Sequence, residues 1–196
     1  MINNPKITQF TPTPQVAGVL PNDSNIEFVG VRQTQQVIWL QNGCSSYFTD
    51  LPVKYFQLLQ RAYSKDHKAQ RFLKEVTSDV SRQVELFTYY MYGDLDTTPD
   101  ILNGELSPSE NFRHHTNCPS LLWNTKTINI GDHILTPRQL VIIDLMARDM
   151  PDKAIASTLG ISPKTLENHK SKLFKAVGVH SKYALLKASF QHKIVA

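Results

Sequence analysis

The sequence predicts a mainly α chain: a C-terminal four-helix unit over 135–196 built around a helix-turn-helix, preceded by a small, mostly helical N-terminal domain. Three observations carry this prediction. Cap and stop signals divide residues 135–196 into four short helices. Ala156, Gly160 and Leu166 stand at the intervals at which two helices meet across a tight turn. A single apolar stripe, Ala69, Leu73, Val76, Val80, Val84, Phe87 and Met91, recurs at spacings of 4, 3, 4, 4, 3 and 4, which is one face of a helix.

In chain order, residues 1–25 carry Pro5, Pro12, Pro14 and Pro21 among Thr, Asn and Gln, and predict an extended or disordered arm. Residues 26–93 are expected to form the small, mostly helical domain, regulatory or dimerising in role. Ile26 to Leu40 alternates enough for a strand, as in Glu27-Phe28-Val29-Gly30-Val31, or for a helix entry. Asp50 is placed to cap a helix from Leu51 to about Tyr63 that buries Tyr55, Leu58, Leu59 and Ala62. The stripe from Ala69 then forms one long helix, or two interrupted at Thr77-Ser78-Asp79. It is either a dimerisation seam or the buried face of a small domain; Phe87, Tyr89, Tyr90 and Tyr92 widen it and favour the buried face.

Residues 94–134, rich in Asp, Asn, Pro, Ser and Gly, read as a linker. His114, His115 and Cys118 lie close in sequence there, but structural zinc takes four ligands in tight local pairs and only one such cluster is present. They read as solvent-exposed loop residues, and no metal is expected. Trp123, with Leu121 and Leu122, reads as an anchor of this loop on a neighbouring domain.

In the C-terminal unit, Thr136 and Gln139 fit a capping box with Pro137 at the first helical position, starting a helix that runs to about Arg148. Pro151 opens the next helix, which ends at Leu159 and Gly160. Ser162 and Pro163 open the third, expected over 163–177, with Gly178 as its stop; Ser181 caps a fourth. Ala156 must be small because the helices cross on it, and Gly160 can take the left-handed conformation that closes a helix. Leu166 fills the angle between the two helices. By helical period, Leu166 and Leu173 face inward with His169 beside them, while Lys164, Glu167, Asn168, Ser171 and Lys172 face outward.

These helices resemble the C-terminal DNA-binding domain of the LuxR/FixJ/NarL family of bacterial transcription regulators. The resemblance is carried by Leu135-Thr136-Pro137-Arg138, Lys153-Ala154-Ile155-Ala156, Leu159-Gly160-Ile161-Ser162-Pro163-Lys164-Thr165-Leu166, His169 and Gly178-Val179-His180-Ser181. It covers about a third of the chain. It implies a unit whose third helix reads the major groove and whose fourth often forms a two-fold dimer contact. Expected DNA contacts are Lys153, Ser162, Lys164, Thr165, Glu167, Asn168, Ser171, Lys172 and Lys175; expected scaffold residues are Ala156, Gly160, Leu166 and His169. Three positions depart from the family pattern. Gln139 replaces a glutamate, Asp149 stands where a glycine is usual between the first two helices, and Glu167 stands where a lysine is common.

The charge distribution points to nucleic acid. From Thr136 onward ten Lys and Arg face four Asp and Glu, net +6; Met1 to Leu135 holds eleven against thirteen, net −2, which together give the formal +4. Double-stranded DNA is the expected partner, with a homodimer as the binding form and RNA polymerase a further candidate partner. No run of eighteen apolar residues and no basic, apolar leader occurs, so a cytoplasmic chain without membrane contact is expected, with Cys44 and Cys118 as thiols. No phosphate loop, nucleophile motif or paired catalytic carboxylates appear, so neither enzyme activity nor a cofactor is expected. The order of residues a phosphorylated receiver needs is not visible. The rival reading is a short extracytoplasmic-type sigma factor, which also ends in a helix-turn-helix; the polar N-terminal arm and the fourth helix favour the regulator.

Overall fold

The computed structural model describes residues 15–195. Of the arm expected over 1–25, residues 1–14 lie outside the described residues. Residues 15–25 are held against the first sheet: the Gly18 N–H donates to Asp23 Oδ2 at 2.8 Å, and the Gly43 N–H donates to the Gly18 carbonyl at 2.9 Å.

Strands β1 (Glu27–Val31), β2 (Gln36–Gln41) and β3 (Cys44–Tyr47) form an antiparallel sheet in that order. Phe28 pairs with Trp39, and Trp39 with Ser46. Asn42 and Gly43 join β2 to β3 with φ of 52° and 76°. This two-residue turn matches the right-handed twist of the strands it connects. β1 is the strand alternative read for Ile26 to Leu40; the difference is that it belongs to a three-stranded sheet reaching β3. Its cause is pairing: β3 is polar and is a strand because it hydrogen-bonds to β2.

Helices α1 (Val53–Lys65), α2 (His67–Val76) and α3 (Val80–Tyr92) pack on the sheet and one another. The first starts two residues later than expected, because Phe48–Asp50 makes a 3-10 turn and Pro52 takes the N-cap position. The long stripe splits in two. Asp79 caps α3 by accepting the Ser81 N–H, so Val76 and Val80 at the break are 55% and 52% exposed. Ala69, Leu73, Val84, Phe87 and Met91 stay buried in the core. The fully buried Asp66 caps α2 through the Ala69 N–H at 2.9 Å and also accepts from the Thr125 N–H and hydroxyl, each at 2.7 Å.

Residues 94–134 contain two short hairpins, β4 (Ile101–Leu102) with β5 (Glu105–Leu106) and β6 (Asn129–Ile130) with β7 (His133–Ile134). Composition alone read this stretch as a linker, yet Ile101, Phe112, Cys118, Trp123, Ile128 and Ile130 in it are buried. Trp123 stacks on Phe87 with centroids 5.7 Å apart, so it closes the N-terminal core.

Helices α4 (Pro137–Ala147), α5 (Asp152–Thr158), α6 (Pro163–Val177) and α7 (Lys182–Gln191) enclose a second core of Ile142, Ile143, Met146, Ile155, Leu166, Leu173 and Leu185. Polar contacts join the two cores. Arg113, 2% exposed, reaches Asp144 of α4 with both terminal nitrogens, at 2.9 and 2.7 Å, and donates to the Ile194 carbonyl. The Asn111 amide donates to the Asn129 and His192 carbonyls, each at 2.8 Å. Lys193 pairs with Asp94 at 2.8 Å.

Asp144→Ala leaves the buried Arg113 without its counter-ion. The variant should lose about 3–5 kcal/mol of unfolding free energy, measured by urea denaturation against the wild type. A loss under about 1 kcal/mol, the range of an exposed pair, would show that the pair does not hold the two cores together.

Candidate nucleic-acid interface

Helix α6 is positioned by caps at both ends. The Ser162 side chain accepts the Thr165 N–H at 3.0 Å and its hydroxyl lies 2.8 Å from that of Thr165, while Pro163 occupies the first helical position. The turn before α6 closes on Gly160 at φ 62°, with the Ile161 N–H donating to the Ala156 carbonyl at 3.0 Å. This six-to-one bond, with a left-handed residue inside it, satisfies carbonyls that the end of α5 would otherwise leave bare. The end of α6 repeats the arrangement with Gly178 at φ 74° and Val179 bonded to Phe174 at 2.9 Å.

The same geometry ends α4 and α7, but with residues that have a side chain. Asp149 (φ 55°) and Lys193 (φ 54°) occupy the left-handed position, and the bonds run from Met150 to Leu145 at 3.3 Å and from Ile194 to Ser189 at 2.8 Å. Position 149 is therefore one that favours glycine, and aspartate bears a backbone cost there. Its carboxylate faces Lys182 at 2.9 Å, but the Asp149 side chain is 97% exposed and the pair is a weak offset.

Ala156 is 1% exposed and Leu166 fully buried, with Ile155 and Leu173 beside them. His169 is half-buried on the flank of α6. Lys164, Thr165, Glu167, Asn168, Ser171, Lys172 and Lys175 are exposed on the outward side of the helix, and Ser162 and Lys153 are exposed at its start and on α5. The two sides follow from the sequence, because Leu166 and Leu173 lie seven residues apart and pin one face of the rod to the core. Lys164 pairs with Glu167 at 2.8 Å, and that hydrogen bond and charge hold the Glu167 carboxyl below its ordinary pKa. The pair also screens a negative group on an otherwise basic face.

Two positioning residues outside the sequence-based set hold this arrangement. Arg138 of α4 donates to the Leu159 carbonyl at 3.1 Å, and Asp152 of α5 receives Lys170 of α6 at 2.8 and 2.7 Å. Arg138 belongs to the motif read in the sequence; nothing in the local sequence around Asp152 announces its partner eighteen residues on.

His114, His115 and Cys118 are not brought together as a ligand set. His114 Nδ1 lies 2.6 Å from the Tyr89 hydroxyl, His115 is exposed, and Cys118 is buried with its Sγ 3.2 Å from the Ser120 hydroxyl. Cys118 thus departs from the exposed-loop expectation, because its neighbours Phe112 and Trp123 belong to the N-terminal core. Among the described residues, the group of three ligand-type side chains that does converge is Glu27, Asp96 and Glu110. Burial pushes Glu27 up to about 8 and Glu110 up to about 9. Among the described residues, no helix is long and apolar enough to cross a membrane.

Residues 133–188 match the luxR family of bacterial regulatory proteins, also described as GerE. The chain is 36% identical over 66 residues to the transcriptional regulatory protein MctR of Rhizobium johnstonii, covering 34% of this chain and 31% of that protein. It is 32% identical over 74 residues to the fimbriae Z protein of Salmonella typhimurium, covering 37% and 35%. With the oxygen regulatory protein NreC of Staphylococcus aureus it shares 35% identity over 106 residues, covering 53% and 42%. The chain thus spans between about a third and two fifths of the length of these curated relatives. No solved structure matches it.

Asp149→Gly should raise the unfolding free energy by about 1 kcal/mol, because glycine removes the left-handed strain while only an exposed ion pair is lost. Urea denaturation decides the sign; a destabilised glycine variant would mean that the Lys182 pair outweighs the backbone term.

Proposed function

We propose that this chain, whose residues 133–188 are a LuxR-type helix-turn-helix domain, is a sequence-specific DNA-binding transcription regulator that lays α6 in the major groove. The observation that carries the reading is the two-sidedness of α6. Leu166 and Leu173 are wholly buried. Lys164, Thr165, Glu167, Asn168, Ser171, Lys172 and Lys175 are exposed on the opposite side. A groove-reading helix needs this division: a rigid inner face and an outer face of donors, acceptors and cations.

Roles follow from chemistry and position. Asn168 suits a bidentate contact to adenine, and Glu167 can accept from the cytosine amino group. Ser162, Lys164 and Thr165 surround the first turn, where the positive end of the helix dipole favours a phosphate. Lys153, Ser171, Lys172 and Lys175 supply phosphate contacts that position the helix without reading sequence. Ala156, Gly160, Leu166 and His169 hold the two helices at their angle. Residues 135–196 act as the DNA-binding domain, and residues 26–93 with the segment to 134 as the input or dimerisation part.

The binding form is a homodimer. Its support is α7, where Tyr183 is 79% and Phe190 59% exposed; seven residues apart, they share one face of the helix. The chain works in a bacterial cytoplasm with no enzymatic step, and RNA polymerase is a further partner. The luxR match over 133–188 favours this reading over a short sigma factor.

A binding-site selection from random duplexes tests it. The full chain should enrich a two-fold motif at moderate salt, and affinity should fall steeply as salt rises, because lysines release counterions from phosphates. Failure to enrich any motif overturns sequence-specific recognition. Asn168→Ala should relax preference at one base pair, a loss of about 1–3 kcal/mol in discrimination. Lys172→Ala should instead weaken all duplexes about equally and shallow the salt dependence by about one counterion; mobility shifts on matched and mismatched duplexes separate the two.

A further inference from the structure

We propose that Glu27, Asp96 and Glu110 form a calcium-binding site where the N-terminal sheet meets the chain's C-terminal tail. The three come from separate segments, β1, the loop after α3 and the stretch after β5, and one carboxylate oxygen of each lies within 4.8 Å of the others.

Their hydrogen bonding is incomplete in a particular way. Glu27 is fully buried. Its Oε1 accepts the Asp96 N–H at 2.7 Å, and its Oε2 has no partner. Glu110 repeats the pattern: Oε2 accepts the Asp94 N–H at 2.8 Å while the buried Oε1 has none. A buried carboxylate oxygen without a donor is costly, so two of them beside a third carboxylate call for a cation or a proton between them.

The charge balance agrees. Glu27, Asp94, Asp96, Asp100 and Glu110 gather here, and the ammonium groups that face them are Lys126 and Lys193. Five carboxylates against two ammonium groups leave three negative charges if all are ionised. Lys126 already donates to the Tyr90 carbonyl at 2.7 Å, and Lys193 pairs with Asp94 at 2.8 Å and donates to the Leu95 carbonyl at 2.6 Å. Neither supplies the missing donor to Glu27 Oε2 or Glu110 Oε1.

Ligand type selects the ion. All donors are oxygens, which suits a hard cation. Calcium takes six to eight oxygens at about 2.3–2.6 Å in adaptable geometry, so its ligands spread over about 5 Å; magnesium requires a tight octahedron at about 2.0–2.1 Å. Asp96 and Glu110 line a cavity bordered also by Asp94, Ser107, Asn111 and His192, with Glu27 buried outside its lining, and on that side there is room for water ligands. Lys193, on the wall of that cavity, belongs to the C-terminal tail. A cation here therefore fixes the 94–96 turn that receives it.

Isothermal titration calorimetry of the full chain with calcium chloride, after EDTA treatment and its removal, should show one site per chain, and saturating calcium should raise the melting temperature. Magnesium should bind about tenfold more weakly. Glu27→Gln and Glu110→Gln should each weaken calcium binding by about tenfold or more, by removing one charged ligand, with an unchanged far-ultraviolet circular dichroism spectrum. Should one of these fail to fold, Asp96→Asn, at the more open edge of the cluster, carries the same expectation. A wild-type chain that takes up no calcium at millimolar concentration overturns the proposal and leaves protons as the occupants of these oxygens. Folded variants that bind calcium as tightly as the wild type overturn it equally, and equal affinity for magnesium overturns the choice of ion.

Discussion

Asp144 sits in the middle of α4, among Ile142, Ile143, Leu145 and Met146, where a lone carboxylate would be expensive. Arg113 meets it with two parallel hydrogen bonds and gives a third to the carbonyl of Ile194. One side chain thus joins three segments far apart in sequence: the stretch after β5, the first helix of the C-terminal unit, and the tail beyond α7. A buried pair of this kind adds little net stability over a well-packed apolar substitute. Its two-pronged geometry fixes orientation instead. Asn111 and Lys193 tie the same seam through carbonyls and a carboxylate, so the junction between the cores is polar and directional.

That seam uses α4 and the chain after α7, and its polar contacts take no side chain from α5 or α6. Among the described residues, the side-chain hydrogen bonds of α6 run along the helix itself or to its cap at Ser162 and to Asp152 of α5. On the proposed reading α6 needs an uncommitted outer edge to enter a groove, and a seam built elsewhere leaves it one. The Arg138 bond to Leu159 and the Lys170 pair with Asp152 then set the angle of α6 from inside its own unit.

The C-terminal half was legible because its signals are local. Thr136 with Gln139, Ser162 with Thr165 and Ser181 with Ala184 each close a cap across three residues, so the sequence displays both partners side by side. Helix boundaries at Pro163 and Val177 follow from Ser162 and Gly178 alone. The N-terminal half depends on partners distant in sequence. β3 is Cys-Ser-Ser-Tyr, with no apolar alternation to reveal it. A usable cue did exist: Asn42-Gly43 and Asn103-Gly104 are two-residue hairpin turns, and both residues of each have positive φ. Residues 94–134 look like a linker because their apolar residues are sparse and aperiodic, and only Trp123 on Phe87 or Ile101 beside Ile26 shows that they close a core. Glu27 was hidden for a related reason. Within an apolar strand it reads as an outward residue, whereas Asp96 and Glu110 reach it from segments roughly seventy and eighty residues away.

Position 167 shows how the proposed interface resolves a local conflict. A carboxylate on a helix facing phosphates is repelled unless its charge is offset. Lys164, one turn earlier, bonds it at 2.8 Å while both side chains stay more than two-thirds exposed. The first turn of α6 is thereby close to neutral in its side chains, and on the proposed reading its attraction for phosphate rests on the positive end of the helix dipole. Lys172 and Lys175, by contrast, have no carboxylate within the helix to offset them. On the proposed reading the rod is graded along its length: its N-terminal half, with Glu167 and Asn168, is suited to base edges, and its C-terminal half, with Lys172 and Lys175, to the backbone. Because the Lys164 pair is exposed, it is weak enough to open. On the proposed reading, opening frees Glu167 to accept from a cytosine amino group and Lys164 to reach a phosphate, so that the two partners trade each other for DNA at little cost.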